Sequence, residues 1–223
     1  MRYKYVFFDF DGTISDSKSG VIEAVVHVLD HFGMHVSDTE PLKCYVGPPL
    51  ELAFMEYAGL APEHIGEVVR LYRSYYNAHC LEQNYLFDGI RELFSVLREN
   101  GCKVIVATNK YQTIVEGLID DFGITDLVDF IAGHDEAAGR NTKADVIKYA
   151  VDSLGITDIS KAVMVGDRKY DIAGAQAVGM DSIGILYGCG EREELEKAGA
   201  TYIAATTADV ADIVLCKDVK LQS

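Results

Sequence analysis

No apolar run in this 223-residue chain reaches the roughly 20 consecutive residues that a membrane-crossing helix needs. Nor does it open with a basic segment, an apolar stretch and a small-residue cleavage site, so an exported or membrane-spanning protein is not expected. Cysteine is sparse: Cys44, Cys80, Cys102, Cys189 and Cys216 include no close pair of the kind that builds a zinc site or a disulfide framework. Reduced thiols in the cytoplasm are the expectation. Positive charge is also short, with 20 Lys and Arg against 35 Asp and Glu and a formal net charge of −15. With no basic stripe to release phosphate counterions, nucleic acid and acidic membranes are excluded as partners. An anionic substrate must then be drawn in by a few local cations. The histidines have no metal-like spacing, and no internal repeat or low-complexity segment is evident.

What is present is a chain with 49% hydrophobic residues, long enough to bury a substantial core in one large domain or a domain with an insert. Its first clear element is the apolar run Tyr5-Val6-Phe7-Phe8, which stops abruptly on Asp9-Phe10-Asp11-Gly12-Thr13. A short β-rich apolar run reads as a buried strand of a covered sheet. Two carboxylates two positions apart then project together from the strand end. Such close anions repel and are tolerated only around a cation or with split protonation, and chemistry uses both arrangements. Asp and Gly also suit plain turns. A calcium loop begins with alternating acids too, but it needs Gly where this chain has Ile14 and a bidentate Glu where it has Gly20.

Downstream, short β-branched runs alternate with helical patterns that finish on glycine. Strands are expected at Val104 to Ala107, Phe130 to Ala132, Ala162 to Val165 and Ser182 to Leu186. Between them, Ile90, Leu93, Phe94 and Leu97 precede Gly101, Ile114, Leu118 and Phe122 precede Gly123, and Val146, Ile147, Ala150 and Leu154 precede Gly155. This alternation implies an α/β fold with a Rossmann-like parallel sheet and right-handed crossovers, which binds ligands at the carboxyl ends of its strands. Between Ser17 and Leu86 no strand is expected. Helical patterns fill that stretch instead, at Val21 to Phe32, Leu52 to Tyr57 and Ile65 to Tyr76. The expected organisation is a core domain of residues 1–16 and 87–223 with an α-helical cap domain of residues 17–86 inserted after the acidic loop, placed to act as a lid.

Three further clusters fall at the same sheet edge under that topology. Thr108-Asn109 ends the second strand, where it can hold phosphoryl oxygens or cap the helix near Gln112. Asn141-Thr142-Lys143 begins a helix, so backbone N–H groups and an ammonium can face one anion. Gly166-Asp167 ends a later strand, and Asp171 follows one helical turn on. Taken together and in order, these segments resemble the four motifs of the haloacid dehalogenase superfamily: an Asp-x-Asp-Gly-Thr loop, a Ser or Thr, a Lys or Arg, and Gly-Asp-x-x-x-Asp. Here they stand as Asp9 to Thr13, Thr108, Lys143 and Gly166-Asp167-Arg168-Lys169-Tyr170-Asp171.

The resemblance implies a Rossmann-like core with an inserted helical cap and a Mg2+-dependent phosphomonoesterase working through an aspartyl-phosphate. In that reading Asp9 is the nucleophile, and Asp11 protonates the leaving alcohol and then activates water. Thr108 and Lys143 hold the transferring group, with Gly12 and Asn109 beside them. Asp9, Asp11 (through its main-chain carbonyl), Asp167 and Asp171 surround the metal. Asp11 disfavours a dehalogenase, which lacks the second acid, and Lys43 is a weak candidate for the cap lysine of a phosphonatase. Thr13 and the Gly166 to Ile172 wording are similar to the phosphoglycolate phosphatase and bacterial 5'-nucleotidase-like group. A β-phosphoglucomutase-type sugar phosphomutase stays open, as does, in another class, a phospho-accepting receiver domain in which Asp135 would follow the third strand. The expected partner is a small phosphorylated metabolite, with monomer and homodimer both open.

Other segments have two readings at this stage. Val46-Gly47-Pro48-Pro49 is either a substrate-contacting cap loop or an ordinary proline turn. Arg168 and Lys169 either steer the anionic substrate or, as is usual for adjacent cations at a helix start, are solvated; Gly188-Cys189-Gly190 is expected to be a plain loop, and Tyr72, Tyr75 and Tyr76 to build the cap's interior.

Overall fold

A computed structural model of the chain describes residues 1–216. The chain runs β1 (Tyr5–Phe8), β2 (Ser15–Asp16), α1 (Lys18–His31), α2 (Leu50–Ala58), α3 (Ile65–His79), β3 (Tyr85–Leu86), α4 (Ile90–Glu99), β4 (Lys103–Tyr111), α5 (Gln112–Asp121), β5 (Phe130–His134), α6 (Lys143–Ser153), β6 (Ala162–Gly166), α7 (Lys169–Ala177), β7 (Asp181–Ile185), α8 (Arg192–Lys197), β8 (Tyr202–Ala204) and α9 (Thr207–Leu215). Six strands form one sheet in the order β5-β4-β1-β6-β7-β8, every neighbouring pair parallel. The first strand is therefore central, flanked in register by Val104 to Val106 on one side and Val163 to Val165 on the other.

Alternation along that strand explains the two layers around it, because successive side chains point to opposite faces. Val6 and Phe8 enter one apolar cluster with the buried faces of α4, α5 and α9, while Phe7 enters another with Val146, Ile147 and Ala150 of α6. Both faces are covered, which is why the central strands read as continuous apolar runs. Among the described residues no helix is long and apolar enough to cross a membrane.

Helices α1, α2 and α3 share a third apolar cluster, built on Val25, Val28, Phe54, Val68 and Tyr76. The chain enters this helical layer from β2 and leaves it through β3, which pair antiparallel as Ser15↔Leu86 and Asp16↔Tyr85. The strand at Tyr85–Leu86 corrects the expectation of none before Leu86; two residues are too few to carry an alternating pattern. Strand β8 and helix α9 lie beyond the last element expected from the sequence.

Phe94 is fully buried, with its ring 4.9 Å from that of Phe8 directly beneath the acidic loop. Replacing it with alanine should lower the unfolding free energy by about 3–5 kcal/mol in urea denaturation, since the rigid sheet cannot collapse into the gap.

Candidate active site

The ends of three adjacent strands bring the motif residues together. Asp9 continues β1, with its N–H donating to the Val165 carbonyl of β6 at 2.9 Å. Asp167 follows the end of β6, and Asp171 sits in the first turn of α7, where its carboxylate accepts from the Arg168 N–H at 3.0 Å. Lys143 is the first residue of α6. Thr142 caps that helix: its hydroxyl accepts from the Asp145 N–H at 3.2 Å, and the Asp145 carboxylate accepts from the Thr142 N–H at 2.9 Å. The capping box fixes where the lysine departs.

From there the Lys143 ammonium lies 2.6 Å from Asp9 Oδ1 and 2.8 Å from Asp171 Oδ1, and it donates to the Ala107 carbonyl at 3.1 Å. All three charged side chains are nearly inaccessible. Burial alone pushes the Lys143 ammonium down, but the attraction of Asp171 and Asp9 outweighs it and the ammonium is held above its ordinary range. Burial also raises the Asp9 carboxyl, to about 7; repulsion from Asp171 adds to this, and Lys143 offsets only part of the rise. The Asp167 carboxyl, buried and facing both other acids, is raised to about 8.

Oxygen atoms of Asp9, Asp167 and Asp171 all lie within 4.8 Å of one another. Three carboxylates and one ammonium leave a formal excess of two negative charges in a dry pocket. Asp167 Oδ1 is buried there without a hydrogen-bond partner, an arrangement tolerated beside a cation or with the carboxyl protonated. Glycine 12, at φ +78°, leaves its Cβ space to the Asp167 carboxylate, so the acidic loop passes against the second acid with nothing between them. An all-oxygen, carboxylate-rich donor set of this size suits a hard divalent cation such as magnesium.

Thr108 and Asn109 do not cap the helix at Gln112. They lie within β4, which runs on to Tyr111 through a register shift after Ala107, and Tyr111 takes the cap position. Thr108 and Asn109 line a cavity of about 110 Å³ that reaches Asp9 and Asp11 at its floor. Neither amide atom of the buried Asn109 side chain has a hydrogen-bond partner. The helical layer roofs the cavity with Tyr45, Gly47, Pro48, Pro49 and Leu50 and walls it with Tyr72 and Tyr76. The proline segment therefore faces the cavity, and of the three tyrosines only Tyr75 turns away, donating to Glu23 at 2.9 Å.

Several participants were not legible as such. Lys110 ion-pairs with Asp11 at 2.8 Å and donates to the Tyr76 hydroxyl at 2.9 Å, tying the acidic loop to α3. Its place two residues beyond Thr108 in an extended segment was the available signal. The Gly188-Cys189-Gly190 loop is a loop as expected, yet its Cys189 N–H donates to Asp167 Oδ2 at 2.8 Å. Arg168 is the correction. Far from being solvated, it is 5% exposed and pairs with Glu194 at 3.0 Å. Lys43 is an exposed surface lysine beside Glu40 and Glu191, and Asp135 pairs with Arg140 at 3.1 Å outside the acid cluster.

The raised carboxyls set a stability test. Between their unfolded value near 3.8 and their folded values near 7 and 8, the folded state keeps protons that the unfolded state has lost. Metal-free stability therefore falls as pH rises through that window. A divalent cation bound by the ionised cluster reverses the loss. Magnesium should raise the thermal unfolding midpoint much more at pH 8 than at pH 5; equal increments at both pH values would argue against the cluster as its site.

Comparison with known proteins agrees with the geometry. A family model described as haloacid dehalogenase-like hydrolase matches residues 6–185. A crystal structure of a predicted phosphatase from Clostridium acetobutylicum superposes with a TM-score of 0.92 at 38% identity, covering 96% of this chain and 99% of the other. A 5'-nucleotidase of Pseudomonas aeruginosa is 31% identical over 214 residues, spanning 96% of each chain. A Mycobacterium tuberculosis protein named tyrosine-protein kinase PtkA is 35% identical over 205 residues, 92% of this chain and 69% of its own. Family membership sets aside the receiver-domain alternative: the chain belongs to the haloacid dehalogenase-like hydrolases.

Proposed function

We propose that the chain, a phosphatase, hydrolyses phosphate monoesters of small metabolites, with magnesium as cofactor and Asp9 as the nucleophile. The observation that carries this reading is the meeting of Asp167, Asp171 and Lys143 with Asp9, which lines a cavity where the buried Asn109 amide is unpartnered. Phosphoryl transfer asks the protein mainly for positioning and charge stabilisation. A carboxylate approaching a phosphate dianion must first have its repulsion offset.

Magnesium held by Asp9, Asp167 and Asp171, with the Asp11 carbonyl, would supply part of that offset by drawing charge from the phosphoryl oxygens. Lys143, 2.6 Å from Asp9 Oδ1, would supply the rest and favours the ionised form of the nucleophile. Thr108 and Asn109 offer hydrogen bonds to the phosphoryl oxygens. Asp9 then attacks phosphorus in line as the ester oxygen departs, giving an aspartyl-phosphate. Asp11 protonates that departing oxygen and afterwards takes a proton from the water that releases phosphate. The helical layer of residues 17–86 serves as a cap that limits water to this use.

Relatives named 5'-nucleotidase and phosphoglycolate phosphatase support hydrolysis of a small ester and make a nucleoside 5'-monophosphate and phosphoglycolate candidate substrates beside sugar phosphates. All five cysteines are free, in keeping with a reducing cytoplasmic setting. Release of inorganic phosphate from p-nitrophenyl phosphate over many turnovers, dependent on magnesium, is the expected result. Asp9→Asn should lose on the order of a thousandfold or more in kcat while unfolding no earlier on heating, since it removes a crowded anion. Asp11→Asn should trap phosphate on the protein, visible as added mass. Full turnover by Asp9→Asn would overturn the assignment.

A further inference from the structure

In the segment Gly166-Asp167-Arg168-Lys169-Tyr170-Asp171 the acids face the cluster at the strand ends, whereas the three residues between them all face the helical layer. Lys169 lies 3.5 Å from Glu56, and the Tyr170 hydroxyl lies 3.4 Å from the same carboxylate. Both are long, exposed contacts of small energetic weight. Arg168 differs in kind. Its guanidinium donates to the Val46 carbonyl at 2.6 Å, to the Cys44 carbonyl at 3.1 Å and to Glu194 at 3.0 Å, and Glu194 also accepts from the Lys169 N–H at 2.9 Å. It is a buried cation whose donors are used on two loop carbonyls and one core carboxylate, the pattern in which charge-assisted bonds are strongest.

Those two carbonyls bracket Tyr45, at the end of the 3-10 turn Glu40–Tyr45, and the loop then continues as Val46, Gly47, Pro48 and Pro49 into α2. Gly47 adopts φ +94°, and a Cβ there would stand 2.9 Å from the Arg168 Cγ. The loop is therefore fitted against the arginine stem as well as bonded to its head. Tyr45, Gly47, Pro48 and Pro49 form the roof of the cavity above Asp9 and Asp11, where an ester's leaving group has to lie. In the phosphatase reading the phosphoryl group takes the deep end, beside Asp9 and Thr108, which also line the cavity.

We propose that Arg168 is a positioning residue: by gripping the Cys44 and Val46 carbonyls it holds the roof loop at the height at which the leaving group is recognised. It touches neither the reacting atoms nor the acids through its side chain. Its effect falls on substrate binding through the roof, not on bond making at phosphorus. This assignment rests on the phosphatase reading above, and the test separates the two.

Wild-type turnover of p-nitrophenyl phosphate examines the phosphatase reading, and variants examine Arg168. Arg168→Met keeps the stem and removes the donors. It should raise KM for that ester by about tenfold or more, the loss expected for one charge-assisted bond to the roof, with kcat changed far less. Inhibition by inorganic phosphate, which fills only the deep end, should stay unchanged. Amide hydrogen exchange should quicken at Tyr45, Val46 and Gly47 and stay the same from Asp9 to Thr13. Arg168→Lys, with one ammonium in place of the fork, should recover only part of the KM. Gly47→Ala pushes the loop off the arginine from the other side and should raise the same KM, which keeps the test open if Arg168→Met does not fold. A parallel rise in KM and in the phosphate inhibition constant would overturn the proposal by making Arg168 a support for Asp167 and Asp171. Unchanged KM with unchanged loop exchange would overturn it too. Absence of wild-type turnover would instead strike the phosphatase reading, leaving the exchange data to judge the arginine.

Discussion

Three carboxylates held out of water around a single ammonium are the constraint on which this fold turns. Folding would relax the site by spreading Asp9, Asp167 and Asp171 apart, and the sheet prevents it. Asp9 and Asp167 leave neighbouring parallel strands locked in register from Tyr5↔Ala162 to Phe8↔Val165, and both strands are buried on both faces. The apolar layers above and below thus do more than stabilise the chain. They hold like charges together against repulsion, keeping at the strand ends an excess of negative charge that a bound cation would relieve. Lys143 reduces the imbalance without cancelling it.

The same accounting bears on how an anion reaches the site. At a net charge of −15 the distant field repels phosphate esters, though salt screens it beyond about 8–10 Å. Close to the cavity the cations are largely engaged: Lys143 with Asp9 and Asp171, Lys110 with Asp11 and the Tyr76 hydroxyl. Attraction for a phosphate must come from an added cation on the acid cluster and from neutral donors such as Asn109. In the proposed reading that added cation and the ester favour each other's binding, because each offsets the other's charge.

Why the sequence disclosed some of this and hid the rest follows from the range of the interactions. Strand ends and helix starts are local events, and Asp9, Lys143 and Asp167 mark them, as Thr108 marks the register shift in β4, with residue types that a turn or cap would also use; their joint order is what distinguished them. The apolar periodicities of the central strands and of α4 and α6 survived because burial enforces them along each element. Arg168 and Lys110 were not legible in the same way. A cation at a helix start looks solvated unless the carbonyls that meet it are known, and those belong to residues 44 and 46, more than 120 positions away. The short pair of β2 and β3 was invisible for a related reason, since two-residue strands are defined by their partner and not by their own pattern.

That long-range contact also explains a division of labour inside one six-residue segment. An α-helical start places Asp171 back toward the strand end, so the carboxylates at both ends of the segment share one side. The residues between are carried round to the other side by the same turn. Any element packed against this turn therefore lies within one side chain of the acid cluster while remaining chemically separate from it. The helical layer uses that position. Its roof loop is anchored to the residue adjoining Asp167, while its α3 is anchored through Lys110 to Asp11. The layer is thus referenced to the Asp167 turn and to Asp11, and not to the sheet as a whole. A displacement of the acidic loop or of the Asp167 turn would carry the helical layer over the cavity with it. With interiors this closely packed, such a shift has nowhere else to go.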